Sequence, residues 1–247
     1  MKMRKILLGS LLCCVLGSAA HAQLSPDDIV QKVDNVRNPV LDYTVHAKVT
    51  SHKENRTDRV GIYEVLMKGR ENTIVKTLEP QTERGRSLLM RGPDFWAFFP
   101  EVSKPLRISL QEKLTGDVSN GDIARTNFAA DYKAALLRDE DIGGKPHYVL
   151  ELIAKTDTAT YGKVVLWVEH DTYHPLKAEF YAISGRFLKT CSYEAYKVLA
   201  GEERPSRLVL TDAVIKGQYS VIEYENMTIA DIPEKYFSKE YLKKLSN

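Results

Sequence analysis

Apolar positions recur along this chain with two different spacings, and the change from one to the other outlines the architecture. Ser25-Pro26-Asp27-Asp28 reads as a helix start: serine caps, proline suits the first helical position, and two acids face the positive end of the macrodipole. Ile29, Val33 and Val36 then fall on one face at helical spacing, and Asn38-Pro39 ends the run. A short amphipathic helix with an apolar stripe to bury is expected there. From Tyr43 the period drops to two, with Tyr43, Val45, Ala47 and Val49 alternating with Thr44, His46, Lys48 and Thr50. The same alternation returns over 147–154, at Val164-Leu166-Val168 and at Leu176-Ala178-Phe180. Further strand-like runs lie near 60–68, 73–78, 86–91, 95–99, 187–196, 207–213 and 219–228. Turn signals separate them, among them Lys68-Gly69-Arg70, Gly143-Gly144, Ser184-Gly185 and Ile215-Lys216-Gly217. Many medium strands joined by tight turns, without alternating helices, argue for an antiparallel meander that twists and curls towards a barrel.

One segment breaks this rhythm. From Ser109 to about Ala130 no strand pattern persists, and a connection of that length inside a compact domain is commonly a lid or a binding loop. Ser119 or Asn120 is placed to cap a short helix over 122–125. The chain closes with Ile232-Pro233, Tyr236-Phe237 and a capped helical turn over 238–245.

The first residues carry an address. Met1-Lys2-Met3-Arg4-Lys5, an apolar run over 6–16 and Ala20-His21-Ala22 form a secretory signal peptide over 1–22, the apolar run being too short to span a bilayer. The remainder, 23–247, is expected to work as a single domain outside the cytoplasm, in a bacterial periplasm, without ATP or NAD(P)H. Cys13 and Cys14 raise the alternative of a lipid anchor, but Leu12 and Cys13 precede them where a small residue is wanted. Past the signal, Cys191 is the only cysteine, so no internal disulfide is expected. Of 35 basic and 33 acidic residues, Lys2, Arg4 and Lys5 belong to the signal, and the mature chain is near neutral. Such a balance offers no electrostatic case for nucleic acid.

Catalytic constellations are missing from the sequence: there is no Gly-x-Ser-x-Gly elbow, no His-Glu-x-x-His and no phosphate-binding loop. No enzyme, cofactor or metal is expected. His170 and His174 have an i, i+4 spacing, but His170-Asp171-Thr172-Tyr173-His174-Pro175 reads as a turn, where that spacing does not converge. Cys191 reads as a small residue on a strand. Arg84, Arg86, Arg91 and Arg107 admit two readings, an anionic headgroup contact or charge on sheet edges. Ser87-Leu88-Leu89-Met90 and 95–99 are apolar on both strand faces, so each side must meet something apolar. Ordinary core is one answer and a cavity wall for a lipid chain the other. Burying some 14 methylenes at about 0.8 kcal/mol each would gain roughly 11 kcal/mol, enough to hold an acyl chain without covalent chemistry.

At this point the residues resemble a family. Lys68-Gly69-Arg70, Glu79-Pro80, Arg84-Gly85-Arg86, Leu89-Met90 and Trp96 are similar to the outer-membrane lipoprotein-sorting proteins of the LolA-like superfamily. Gly116-Asp117, Ser119-Asn120-Gly121-Asp122-Ile123-Ala124-Arg125, Leu166-Trp167-Val168, 175–181 and Arg204-Pro205-Ser206 continue the match over nearly the whole mature chain. The resemblance implies a mainly β (α+β) fold, an incomplete antiparallel barrel whose concave face is covered by the N-terminal helix and short lid helices. It implies a monomeric periplasmic carrier of acyl chains from lipoproteins or lipids, working with an inner-membrane RND-type or ABC exporter and an outer-membrane acceptor. The alternative is a non-enzymatic sensor or docking module of such an exporter. Ile29, Val33, Leu89, Trp96, Phe98, Ile123, Leu150, Leu152, Leu166 and Phe180 are the expected cavity lining, with Arg84, Arg86 and Arg125 at its rim.

Overall fold

The computed structural model describes residues 24–102, 104–125 and 127–244; the expected signal segment, 1–22, lies outside them. Helix α1 (Pro26–Arg37) opens the fold, and Ser25 and Asp28 form a capping box in which Asp28 N–H donates to Ser25 Oγ at 3.2 Å. Strands β1 (Tyr43–His52), β2 (Arg59–Lys68), β3 (Asn72–Glu79), β4 (Ser87–Arg91), β5 (Asp94–Phe98) and β6 (Leu106–Arg107) follow as a meander. The long central segment then makes a small hairpin, β7 (Lys113–Thr115) and β8 (Val118–Ser119), and two helical pieces, α2 (Asn120–Ala124) and α3 (Phe128–Asp131). A second meander runs through β9 (Tyr132–Ile142), β10 (Lys145–Ala154), β11 (Lys163–Glu169), β12 (Pro175–Tyr181), β13 (Phe187–Leu199), β14 (Glu202–Asp212) and β15 (Tyr219–Ile229). Helix α4 (Lys239–Lys244) ends the described chain.

The last strand closes back on the first. β15 pairs antiparallel with β1, Val49 opposite Ile222, which joins both meanders into one 13-stranded antiparallel sheet with β6 and β9 at its edges. The sheet curls but does not close, so the fold is an incomplete barrel, as the sequence led us to expect. β9 is the strand that the apolar pattern did not mark; β10 captures it, pairing Leu150 with Leu136 and Leu152 with Ala134.

Alternation places Tyr43, Val45, Ala47 and Val49 on the concave face, where they pack with Ile29, Val30 and Val33 of α1 and Ile123 and Phe128 of the central segment. The convex face is apolar too along β2–β5. There Leu66, Ile74, Leu89 and Phe98, with Trp96 beside them, lie under Ile232, Phe237 and Leu242 from the C-terminal segment. This corrects the expected cavity lining. Leu89, Trp96 and Phe98 face the C-terminal strap, while Leu88, Met90, Phe95 and Ala97 face inwards. Side chains alternate strictly, so a strand apolar on both sides gives no local sign of which face is which. A chain segment more than 130 residues away decides it.

Antiparallel neighbours also gather one set of turns, 53–58, 155–162, 182–186 and 213–218, at the same end of the half-barrel.

Candidate functional site

The central segment roofs the concave face through polar clasps. Ser119 N–H donates to Asp122 Oδ2 at 2.7 Å, the capping box of α2. The same carboxylate receives the Lys189 ammonium of β13 at 2.6 Å and the Tyr161 hydroxyl at 2.5 Å. Lys189 Nζ also donates to the Asp117 carbonyl at 2.5 Å. Lysine and aspartate side chains are 5% and 9% exposed, so this is a buried ion pair. Burial, followed by the adjoining Asp122 carboxylate, holds the Tyr161 hydroxyl well above the ordinary tyrosine range, so it stays a donor.

The other end of the roof has its own clasp. Arg125 forks onto both Asp131 carboxylate oxygens and donates to the Gly92 carbonyl at 2.9 Å. Those hydrogen bonds to Asp131 raise its guanidinium above the usual value. α3 is tied to α1 where Ala129 N–H donates to Asp34 Oδ2 at 2.8 Å. Asp34 is fully buried, and that burial raises its carboxyl despite Arg37 alongside. The β7–β8 hairpin rests on the sheet through Gly116, which sits at φ +53° against Ser51 and Ser220, where no side chain fits.

Several spaces flank this roof, including one of about 290 Å³ beside Gly92, Arg125 and Asp131, and two others meet at Tyr161. Beneath the roof, a void of about 20 Å³ is bordered by Asp122, Arg125, Phe128, Tyr161, Phe180 and Cys191 and has room for about one water. Outside it, a cleft of about 470 Å³ opens between the β7–β8 hairpin and the turns 182–186 and 213–218. Its walls carry Ile183, Phe187, Leu188, Val214 and Ile215, and the buried Lys189 and Tyr161 reach it from within. Tyr161 and Thr160 border both spaces, so the Tyr161–Asp122–Lys189 cluster is the partition between them.

The expected site residues therefore scatter. Ile29, Val33, Ile123, Leu150, Leu152, Leu166 and Phe180 share the concave core with the roof; Phe180 borders the 20 Å³ void and Ile123 a smaller one of about 10 Å³ beside Tyr43. Arg125 borders the void as part of the lid. Arg84 lies exposed in the turn between β3 and β4, and Arg86 stands 4.9 Å over Phe99 and 3.9 Å from Glu83; neither is among the residues bordering the void or the cleft. Arg91 reaches Glu234 and Arg107 reaches Asp94, which makes charge pairing, not one anion site, the outcome for those two. Sequence reasoning missed Lys189, Tyr161 and the bare Ile183, Val214 and Ile215. A lysine at the inward parity of Cys191 and Tyr193, and an apolar pair inside a turn, were the available signals.

The residues weighed for catalysis have other partners. Burial pushes the Cys191 thiol up to about 12, which leaves it protonated and inert at neutral pH. His170 stacks on Tyr148 and meets Asp139 at 2.9 Å, whereas His174 stacks on Tyr196. Among the described residues no three His, Cys, Asp or Glu side chains gather as a metal site.

A protein-family model whose description reads uncharacterized protein matches residues 69–244. Among solved structures, a LolA superfamily protein from Nitrosomonas europaea is 44% identical, with a TM-score of 0.85 over 89% of this chain and 100% of that one. A DUF1329 family protein from Desulfovibrio piger is 21% identical, with a TM-score of 0.76 over 89% and 100% of the two chains. A domain assigned to outer-membrane lipoprotein sorting, from Vibrio parahaemolyticus, is 22% identical, with a TM-score of 0.73 over 88% and 98%. The last two likenesses are of fold. No curated protein matches the chain.

Proposed function

The chain belongs to the LolA superfamily, and from that premise we propose that it is a non-covalent carrier of acyl chains. The cargo is a lipoprotein or a lipid, taken up in the periplasm after removal of the signal segment 1–22 and passed towards the outer membrane beside an RND-type or ABC exporter. The observation that supports this reading most is the construction of the roof. An apolar concave face is covered by helices of only five and four residues, α2 and α3, which bury little that is apolar beyond Ile123, Ala124 and Phe128 and are otherwise held by polar clasps.

Clasps of this kind suit a part that must move. Apolar contacts alone would make opening costly in proportion to the area exposed, whereas an ion pair exchanges protein partners for water. With the roof down, the void beneath it has room for about one water, so loading the concave face requires α2 and α3 to swing aside. Transfer needs only a difference in affinity between carrier and acceptor, and no bond is made or broken. Extraction of the purified protein and mass spectrometry of the co-purifying lipid, with titration of a fluorescent acyl probe, tests the reading. Bound acyl lipid and saturable probe binding are expected; a lipid-free protein that ignores the probe would overturn it.

The filled interior favours a second reading, a non-enzymatic sensor or docking module of an envelope exporter. It expects the same lipid-free result together with capture of an exporter subunit.

A further inference from the structure

One side of the cleft outside the roof is apolar and partly bare, facing the polar and charged side chains of the β7–β8 hairpin. Ile183 is 54% exposed, Val214 75% and Ile215 44%. Scattered exposed apolar side chains need no explanation, but three around one opening do. Two of them are held in place. The Asp212 carboxylate accepts the backbone N–H of Val214 at 2.8 Å and of Ile215 at 2.7 Å, and Gln218 N–H donates to the Ile215 carbonyl at 3.2 Å. The backbone of this turn is tied down while both side chains stand in water.

The charges in the cleft cancel. Lys113, Arg186 and Lys189 face Asp117 and Asp212, with Asp122 bonded directly behind Lys189. Asp117 is further engaged by Gln218 at 2.6 Å and Lys113 at 3.7 Å. A site of this balance selects neither an anion nor a cation, and its discrimination comes from apolar contact. Its volume of about 470 Å³ falls within the range of roughly 300–1,000 Å³ usual for small-molecule sites.

We propose that this cleft binds one hydrocarbon tail, a single unbranched acyl chain, without selecting for the charge of its head, while the roof stays shut. The tail lies against Ile183, Phe187, Leu188, Val214 and Ile215, on the outer side of the Tyr161–Asp122–Lys189 partition. This rests on the carrier reading and adds to it a place and a ligand class: the closed protein holds a tail outside the barrel.

The test is competition against a fluorescent C16 fatty acid on the intact protein, with hexadecanol and hexadecanoate as competitors. The two are expected to compete within about threefold of each other at low and high salt, the mark of a site without net charge. Replacing Ile183→Asp together with Val214→Asp, both exposed, should weaken probe binding by about tenfold, ~1.4 kcal/mol. Val198→Asp, at the equally exposed far end of β13, should leave it unchanged. A preference for the acid that salt abolishes would overturn the site's indifference to charge. If the cleft pair binds normally while Arg125→Gln, which loosens the roof's other clasp, shifts affinity about tenfold, the tail sits beneath the roof: this inference fails and the carrier reading stands. If the wild-type protein binds no probe, both fail.

Discussion

Replacing Lys189 by methionine tests whether a buried ion pair holds α2 on the sheet. The substitution keeps an unbranched stem and removes the ammonium that Asp122 meets at 2.6 Å and the Asp117 carbonyl at 2.5 Å. Asp122, 9% exposed, would retain only the Tyr161 hydroxyl and the Ser119 N–H as donors. Removing one member of a buried pair costs about 3–5 kcal/mol, because the remaining charge has lost its counter-ion and cannot recover water. The two surviving donors place the expected loss near the lower end, about 3 kcal/mol. For a domain of roughly this size each kcal/mol moves Tm by about 2–4 °C, so the melt should fall by about 6–12 °C. Adding Asp122→Asn removes the stranded charge while keeping an acceptor for Tyr161. The double variant should therefore regain about 2 kcal/mol relative to the sum of the single losses. Urea unfolding followed by circular dichroism reads all four proteins. A Lys189→Met loss under about 1 kcal/mol, or strict additivity with Asp122→Asn, would refute the clasp.

Leu89→Ala should cost about 2–5 kcal/mol in urea unfolding, since Leu89 is 1% exposed beneath the C-terminal strap, yet leave acyl-probe affinity unchanged. Weakened probe binding at unchanged stability would return Leu89 to a cavity wall. The Cys191 thiol, pushed up by burial to about 12 from an ordinary value of 9.0, should ignore a thiol reagent at pH 8 until the protein unfolds; prompt labelling of the folded protein would contradict that burial. The folded state keeps this proton more tightly than the unfolded one. Its contribution to stability is therefore whole below about pH 9 and lost as pH rises towards 12. Buried tyrosines such as Tyr161, raised from 10.0, add their own loss above that value, so Cys191→Ala should flatten a pH series of melts between 9.0 and 10.0 and only lessen the fall beyond. Gly116→Ala would set a methyl 2.1 Å from Ser51 Oγ and 2.5 Å from Ser220 Oγ at a positive φ, and should lower stability by about 1–3 kcal/mol in the same unfolding assay. Ser25→Ala, which deletes the α1 cap, should cost about 1 kcal/mol.

Features set by neighbours in the chain were legible before any coordinates. α1 runs from its Ser25 cap to Asn38 as read, because capping, proline placement and apolar spacing act within a few residues. Strand alternation at 43–49 announced one buried face, whereas β11 turned out buried on both, and the loss of pattern after Ser109 announced the roof, including the Ser119 cap of α2. From these and the ordered blocks shared with its superfamily, the mainly β, unclosed barrel followed. What escaped was decided across the fold. Ala134-Ala135-Leu136-Leu137 has the composition of a helix, yet β10 draws it into an edge strand, since pairing and packing outweigh a few tenths of a kcal/mol of propensity per residue, ~0.5 at most. The inward and outward sides of β4 and β5 were indistinguishable until Ile232, Phe237 and Leu242 covered one of them. Lys189 and Asp122 stand 67 residues apart, and only the curl of the sheet sets a lysine from β13 beneath the first turn of α2. Local chemistry wrote the elements and their caps, whereas the choice between faces, and the partition between void and cleft, came from surfaces that meet only once the sheet has curled.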